Sequence, residues 1–134
     1  VQNGSKTLTT AEGVANGYGF GIASQQALDD PATNTALQDF VVRLAKASAW
    51  AEKNPAEWAA AYSAAVGIDP TAGELAQGRS QRPAIALDDK VVESEQTLFD
   101  VFVDSGSIPG GNQFEDFVDT RYNDAIADAN ASTN

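Results

Sequence analysis

The sequence predicts a mostly α-helical fold preceded by two short N-terminal strands. Three observations carry that prediction. From Asp30 onward apolar residues recur at helical spacing. Before that point, residues 18–23 alternate bulky and bare with a period of two. Between the helical stretches, Gly, Pro, Asn and Asp stand where helices start and stop. At 134 residues, 43% of them apolar, the chain suffices for one ordinary domain with a core.

The strands come first. Residues 6–10, with Thr7, Leu8 and Thr9, suit a pleated, half-buried surface. A loop over residues 11–17 follows. In residues 18–23, Tyr18, Phe20 and Ile22 then alternate with Gly19, Gly21 and Ala23. One face of this strand is bulky and the other nearly bare, and glycine inside a strand marks close approach of another backbone or a ligand.

Five helices are expected after it. The first runs from about Thr33 to Lys53, with Ala36, Leu37, Phe40, Val41, Leu44, Ala47 and Ala51 as its buried stripe and Asp39, Arg43, Lys46 and Lys53 on the other side. Asn54 is placed to cap the second helix, with Pro55 at its first position and Glu57 closing a capping box. Trp58, Ala61, Tyr62 and Ala65 are its apolar stripe, and Gly67 is its stop. Asp69 and Pro70 open a shorter third helix that ends near Gly78, and residues 83–87 connect onward.

Asp88 caps the fourth helix, with Leu87 and Val92 at the staple positions and Val91, Val92, Leu98, Phe99, Phe102 and Val103 on the buried side before Gly106. Ile108-Pro109-Gly110-Gly111 is a tight connector. Asn112 and Glu115 form a capping-box pair for the fifth helix, with Phe114, Phe117, Val118, Ala125 and Ile126 inward. Residues 128–134 are small and polar and are expected to fray.

Composition removes whole classes of chemistry. Cysteine and histidine are both absent, so disulfides, thiolate nucleophiles, zinc clusters and His-based general bases are excluded. A formal net charge of −11 opposes binding to phosphate backbones. The longest mostly apolar run, residues 58–68, is far shorter than the ~20 residues of a membrane helix. Methionine is absent and the chain opens at Val1 with no signal-like segment before it, so a processed or truncated polypeptide is expected.

No catalytic constellation is visible. Gly17, Gly19 and Gly21 lack the spacing of a dinucleotide fingerprint or a P-loop. The pairs Asp29-Asp30 and Asp88-Asp89 lack a shaped calcium loop, and Asp88 is better placed as a cap. Asp100, Asp104, Asp116, Asp119 and Asp124 fall on polar helix faces, where solvation is the ordinary reading, so neither catalysis nor a metal or cofactor is assigned. Trp50, Trp58 and Tyr62 are spaced for an apolar ridge within the core. Gly17, Tyr18 and Phe20 are the candidate ligand-binding residues, because aromatic walls beside close backbone donors suit a pocket.

The order of these landmarks is distinctive. Thr7-Leu8 leads through a glycine-rich loop to Gly17-Tyr18-Gly19-Phe20-Gly21-Ile22-Ala23-Ser24, then to Ala27-Leu28-Asp29-Asp30-Pro31. Arg43-Leu44, Ala47-Ser48-Ala49-Trp50-Ala51, Asn54-Pro55-Ala56-Glu57-Trp58 and Val66-Gly67-Ile68-Asp69-Pro70 follow, and Phe102, Gly106 and Ile108-Pro109 complete the series. Over nearly its whole length the chain resembles the C-terminal part of the aliphatic-sulfonate, taurine and nitrate binding proteins of ABC importers.

That resemblance implies the C-terminal portion of a two-lobed α/β fold of the periplasmic-binding-protein type II kind. Residues 1–17 would end the second lobe, 18–24 would be a crossover strand, 25–127 the helical C-terminal part of the first lobe, and 128–134 a frayed tail. It implies a binding protein without catalysis at the periplasmic or extracellular face of the membrane. Its partners would be a small anion and a membrane permease, with Gly17, Tyr18 and Phe20 facing the cleft. Lacking a sheet to cover, the chain is expected to self-associate or to pair with the remainder of its own protein. Two further expectations stand beside this one: a fragment of a pyrimidine-precursor synthase-like enzyme on the same fold, and a stand-alone helical interaction domain.

Overall fold

The computed structural model describes residues 4, 6–10, 15–79 and 82–133. Within them the chain is mostly helical: α1 (Gln25–Asp29), α2 (Pro31–Lys53), α3 (Pro55–Val66), α4 (Pro70–Arg79), α5 (Asp89–Asp104), a 3-10 turn over Phe114–Phe117, and α6 (Asn123–Ala131). The expected loop over residues 11–17 lies mostly outside the described residues. No strand occurs among those described, which corrects the two N-terminal strands. A strand needs a neighbour for its ladder of hydrogen bonds, and neither 6–10 nor 18–23 lies beside one. Period-two alternation sets the faces of a strand but supplies no partner.

The start of the helical part is fixed by two side-chain caps in succession. Ser24 Oγ accepts from Ala27 N at 3.2 Å and opens α1, a short helix absent from the sequence expectation because five residues show no periodicity. Asp30 Oδ1 accepts from Thr33 N at 2.8 Å, and Pro31 takes the first position of α2, two residues before the expected start. At the other end of α2, Asn54 corrects its expected role. Its Nδ2 donates to Trp50 O at 2.8 Å, so it closes α2 and makes no side-chain cap for α3. The expected stop at Gly67 is present: it adopts φ 73°, and its N–H donates to Ser63 O at 2.9 Å.

The packing of α3 against α4 reverses the expected stripe. Ala59 and Ser63 are the buried residues of α3, while Trp58, Ala61, Tyr62 and Ala65 lie exposed. The reason is close approach. A Cβ on Gly73 of α4 would come within 2.0 Å of Ser63 Oγ and 3.0 Å of the Ala59 carbonyl oxygen. Only small residues permit that distance between helix backbones, so the bulky line turns outward.

Helix α2 keeps part of its expected stripe, with Ala51 buried and Leu37 and Val41 half-buried, while Ala36 and Ala47 are exposed. Its buried face centres on Ala45, which is fully enclosed, with Leu37, Val41 and Ser48 half-buried, and the helix as a whole packs against α6. Phe40 and Leu44, on the expected stripe, are 61% and 52% exposed. In α5, Val91 is buried and Val92, Phe99 and Val103 are half-buried as expected, whereas Leu98 and Phe102 are exposed.

The C-terminal third departs most from expectation. The capping pair is Gln113 with Asp116, one residue later than Asn112 with Glu115, and it opens the 3-10 turn. The expected single helix is then broken at residues 118–122. There Asp119 Oδ1 accepts from Arg121 N at 3.0 Å, a side-chain turn that competes with helical backbone bonding. Phe117 is exposed, while Phe114, Val118, Ala125 and Ile126 are half-buried.

The expected fraying of residues 128–134 does not hold for 128–133. Helix α6 runs to Ala131 with Ala129 buried, Asn130 Nδ2 donates to Ala84 O at 2.8 Å, and Lys53 Nζ donates to Thr133 O. Further upstream, Asn123 bonds Leu87 through both its side-chain oxygen (2.9 Å) and its side-chain nitrogen (3.1 Å). Short polar side chains fix this end because each finds a backbone partner.

The core is made of small residues. Among the described residues, Ala45, Ala51, Ala59, Val91 and Ala129 are its buried apolar members, and no large side chain is fully enclosed. The accessible surface of 9779 Å² exceeds by about 3,000 Å² the ~6,700 Å² expected of a compact 14.0 kDa chain.

Candidate functional site

The glycine-rich segment ahead of α1 holds the candidate residues. Gly17 adopts φ +72°, a left-handed conformation that a side chain would strain. The Asn16 side chain spans it: Oδ1 accepts from Tyr18 N at 3.2 Å, in the manner of an Asx turn. The same amide reaches α5, where Nδ2 donates to Glu95 Oε1 at 2.6 Å and to Ser94 Oγ at 2.9 Å. Glu95 is buried, at 9% exposure.

Beyond Gly17 the aromatics line up. Tyr18 and Phe20 pack edge to face with ring centroids 6.4 Å apart, and Phe20 meets Phe114 in the same manner at 5.7 Å. Phe114 is held in turn from α5, its N–H donating to Gln96 Oε1 at 2.5 Å. Tyr18 and Phe20 remain two-fifths exposed, and Ile22 stands almost wholly in solvent. A Cβ added at Gly19 or Gly21 would meet no heavy atom within 4 Å, so the bare face of the alternation is open. The structure thus joins Tyr18 to Phe20 and Phe20 to Phe114 of the 3-10 turn, while Asn16, next to Gly17, ties the segment to α5.

Asn16, Glu95 and Gln96 are the residues that sequence reasoning missed. The available signal was Glu95 itself: it falls at helical spacing between Val91 and Phe99, a charged residue inside an apolar stripe.

Two surface depressions accompany these elements. One, of about 210 Å³, is lined by Ala15, Asn16, Ser94, Thr97, Leu98 and Val101. The other, of about 250 Å³, is lined by Ala72, Leu75, Ala76 and Arg79. Both fall below the ~300 Å³ at which ordinary ligand pockets begin. Neither is lined by Gly17, Tyr18 or Phe20.

Most of the candidate carboxylates have structural partners. Asp88 caps α5 through Val91 N at 3.0 Å, Asp29 accepts from Gln25, Asp100 from Gln96, and Asp116 from Gln113 N. Asp119 pairs with Arg121, whose Nη2 lies 2.6 Å from Oδ2, and the Arg121 hydrogen bonds hold its carboxyl below the usual range. Asp30 is lowered likewise by the bonds from Thr33 that cap α2. Asp104 and Asp124 are exposed. Among the described residues no three acidic side chains gather as a metal site, and no helix is long and apolar enough to cross a membrane.

Trp58 and Tyr62, expected inside, stack on the outer face of α3 with ring centroids 6.2 Å apart. Trp50 is also exposed, so the three do not form a core ridge. Comparison with family models, curated proteins and solved structures finds no match.

Proposed function

We propose that this chain is the C-terminal helical part of an extracytoplasmic solute-binding component of an ABC importer for small anions such as sulfonates, taurine or nitrate. On this reading it binds without catalysis and hands its solute to a membrane permease. Residues 18–24, which form no strand alone, become the crossover strand only where the sheet of the whole protein pairs with them, and Gly17, Tyr18 and Phe20 face the solute. The anion is held by backbone N–H groups and local dipoles, which a negative net charge does not oppose.

One observation carries the reading. The residues exposed here are those that a sheet would cover: Phe40 and Leu44 of α2, Leu98 and Phe102 of α5, and the unpaired alternating segment 18–23. An apolar surface this extensive marks an interface, and helices that leave one apolar face open suit a layered α/β arrangement. The remainder of the same protein is the partner that fits. In its absence, a second copy of the chain takes that place.

The test is the intact mass of the source gene product against the 14.0 kDa of this chain. A mass more than twice as large, with saturable binding of taurine, an alkanesulfonate or nitrate by the whole product, is the expected result. Full-length product that binds none of them overturns the reading. Analytical ultracentrifugation of the 134-residue chain is expected to show concentration-dependent association, which added salt strengthens by screening the −11 charge. A second reading, a stand-alone helical interaction module, draws on the α3–α4 and α2–α6 contacts, which close without any sheet. A gene product near 14 kDa favours it.

A further inference from the structure

Two neighbouring residues of α5 reach both aromatic residues of the candidate site, each through one intermediary. Glu95 accepts from Asn16, whose other amide atom accepts from Tyr18 N. Gln96 accepts from Phe114 N, whose ring meets Phe20. Residues 19–23 make no hydrogen bond, so these two anchors are the polar ties that act on the aromatic pair beside the packing of its rings.

We infer that Glu95 and Gln96 are positioning residues that set Tyr18 through Asn16 and Phe20 through Phe114. The chemistry favours this over ordinary helix packing. Glu95 occupies a buried position on an apolar stripe, where leucine would bury more apolar surface and a carboxylate is costly unless it is paired. Its short bond to the Asn16 amide joins residues 79 apart in the chain. Ser94 Oγ takes the second amide hydrogen, leaving Asn16 one orientation in which its oxygen faces Tyr18 N. The left-handed Gly17 lets the chain turn between them. Gln96 is fixed in its own right, donating to Asp100 Oδ1 at 2.7 Å while accepting from Phe114.

What the positioned pair touches rests on the solute-binding reading, but the positioning itself does not. The test therefore uses the 134-residue chain without solute, following backbone ¹⁵N order parameters at residues 17–20. Glu95→Ala and Asn16→Ala should lower the Tyr18 value from the rigid ~0.85 to below about 0.6 with helical circular dichroism unchanged. Glu95→Gln, which keeps the accepting oxygen, should restore the rigid value. Gln96→Ala should loosen Phe20 and leave Tyr18 ordered. Asn16 lies outside every helix, so its variant serves even where Glu95→Ala fails to fold. A rigid Tyr18 in Asn16→Ala overturns the inference, and so does equal loosening by Glu95→Gln and Glu95→Ala. A failed anion screen leaves these outcomes untouched.

Discussion

The α3–α4 pair and helix α2 differ in how closely their neighbour comes, but both turn large side chains outward. In the pair, Ala59, Ser63 and Gly73 allow two helix backbones to approach closely, and Trp58 and Tyr62 are left outside. In α2 a line of small and medium residues around Ala45 meets α6, and Phe40 and Leu44 are left outside. Both regions spend their smallest residues on the contact they make. The lesson is that side-chain size at a helix face reports how near a neighbour comes, and the largest side chains need not mark the inside.

The largest expected effect breaks the closed region. Gly73→Val would place a branched carbon against Ser63 Oγ and the Ala59 carbonyl, which lie 2.0 and 3.0 Å from a Cβ at that position. The hydroxyl can rotate, but the carbonyl is helix backbone and cannot. Urea unfolding should show a loss of about 3 kcal/mol, at the upper end of overpacking costs. Pairing Gly73→Ala with Ser63→Ala should recover part of the loss of Gly73→Ala alone, because the contact with Ala59 remains.

A smaller change sharpens the same interface. Ser63 Oγ is buried without a hydrogen-bond partner. Ser63→Ala keeps the small volume and removes the unsatisfied hydroxyl, so the urea midpoint should rise by the equivalent of about 1 kcal/mol. A fall in stability would mean that the hydroxyl is satisfied in solution.

Helix existence was legible in the sequence because caps and stops are local. Asp88 and Gly67 act where their residue types predict, and each needs only three or four neighbouring residues to do so. Burial was less legible because it depends on partners that are distant in the chain. The aromatic stripe of α3 reads as core until Gly73 is known to sit against Ser63. The alternation at 18–23 reads as a strand, but no neighbour stands beside it. The C-terminal tail reads as frayed because its small polar residues bond backbone groups more than forty positions away, as Asn130 does with Ala84. At the candidate site, Gly17, Tyr18 and Phe20 were visible as a motif. Their anchors on α5 were visible only as one carboxylate out of place.

The open region should respond little to changes that would damage the closed one. Phe40→Ser and Leu44→Ser together should alter the unfolding free energy of the dilute chain by about 0.5 kcal/mol or less, as surface substitutions do. The same pair should reduce association in the ultracentrifuge. A loss of several kcal/mol in dilute solution would mean that this face is covered within a single chain, and the contrast between the two regions would disappear.

The smallest effect concerns the clip that covers the other face of α2. Arg121 donates to Leu28 O at 2.7 Å and is itself oriented by Asp119, while Tyr122 donates to Asn34 Oδ1 at 3.2 Å. The Arg121 hydrogen bonds hold the Asp119 carboxyl below its unfolded value, so at mildly acid pH the unfolded chain binds the proton more readily than the folded one. Stability from this group is therefore complete above the usual carboxylate range and is lost as pH falls through the lowered value. The pair is one-third exposed, so solvent screening keeps the contribution small. Asp119→Asn retains an oxygen for the Arg121 backbone N–H and removes the titrating charge. The difference in unfolding free energy between the parent and Asp119→Asn should be constant at neutral pH and shrink as the pH falls through and below the usual carboxylate range. A difference that grows on acidification would reverse the sign and show that the Asp119 charge opposes the closure of α6 onto α2.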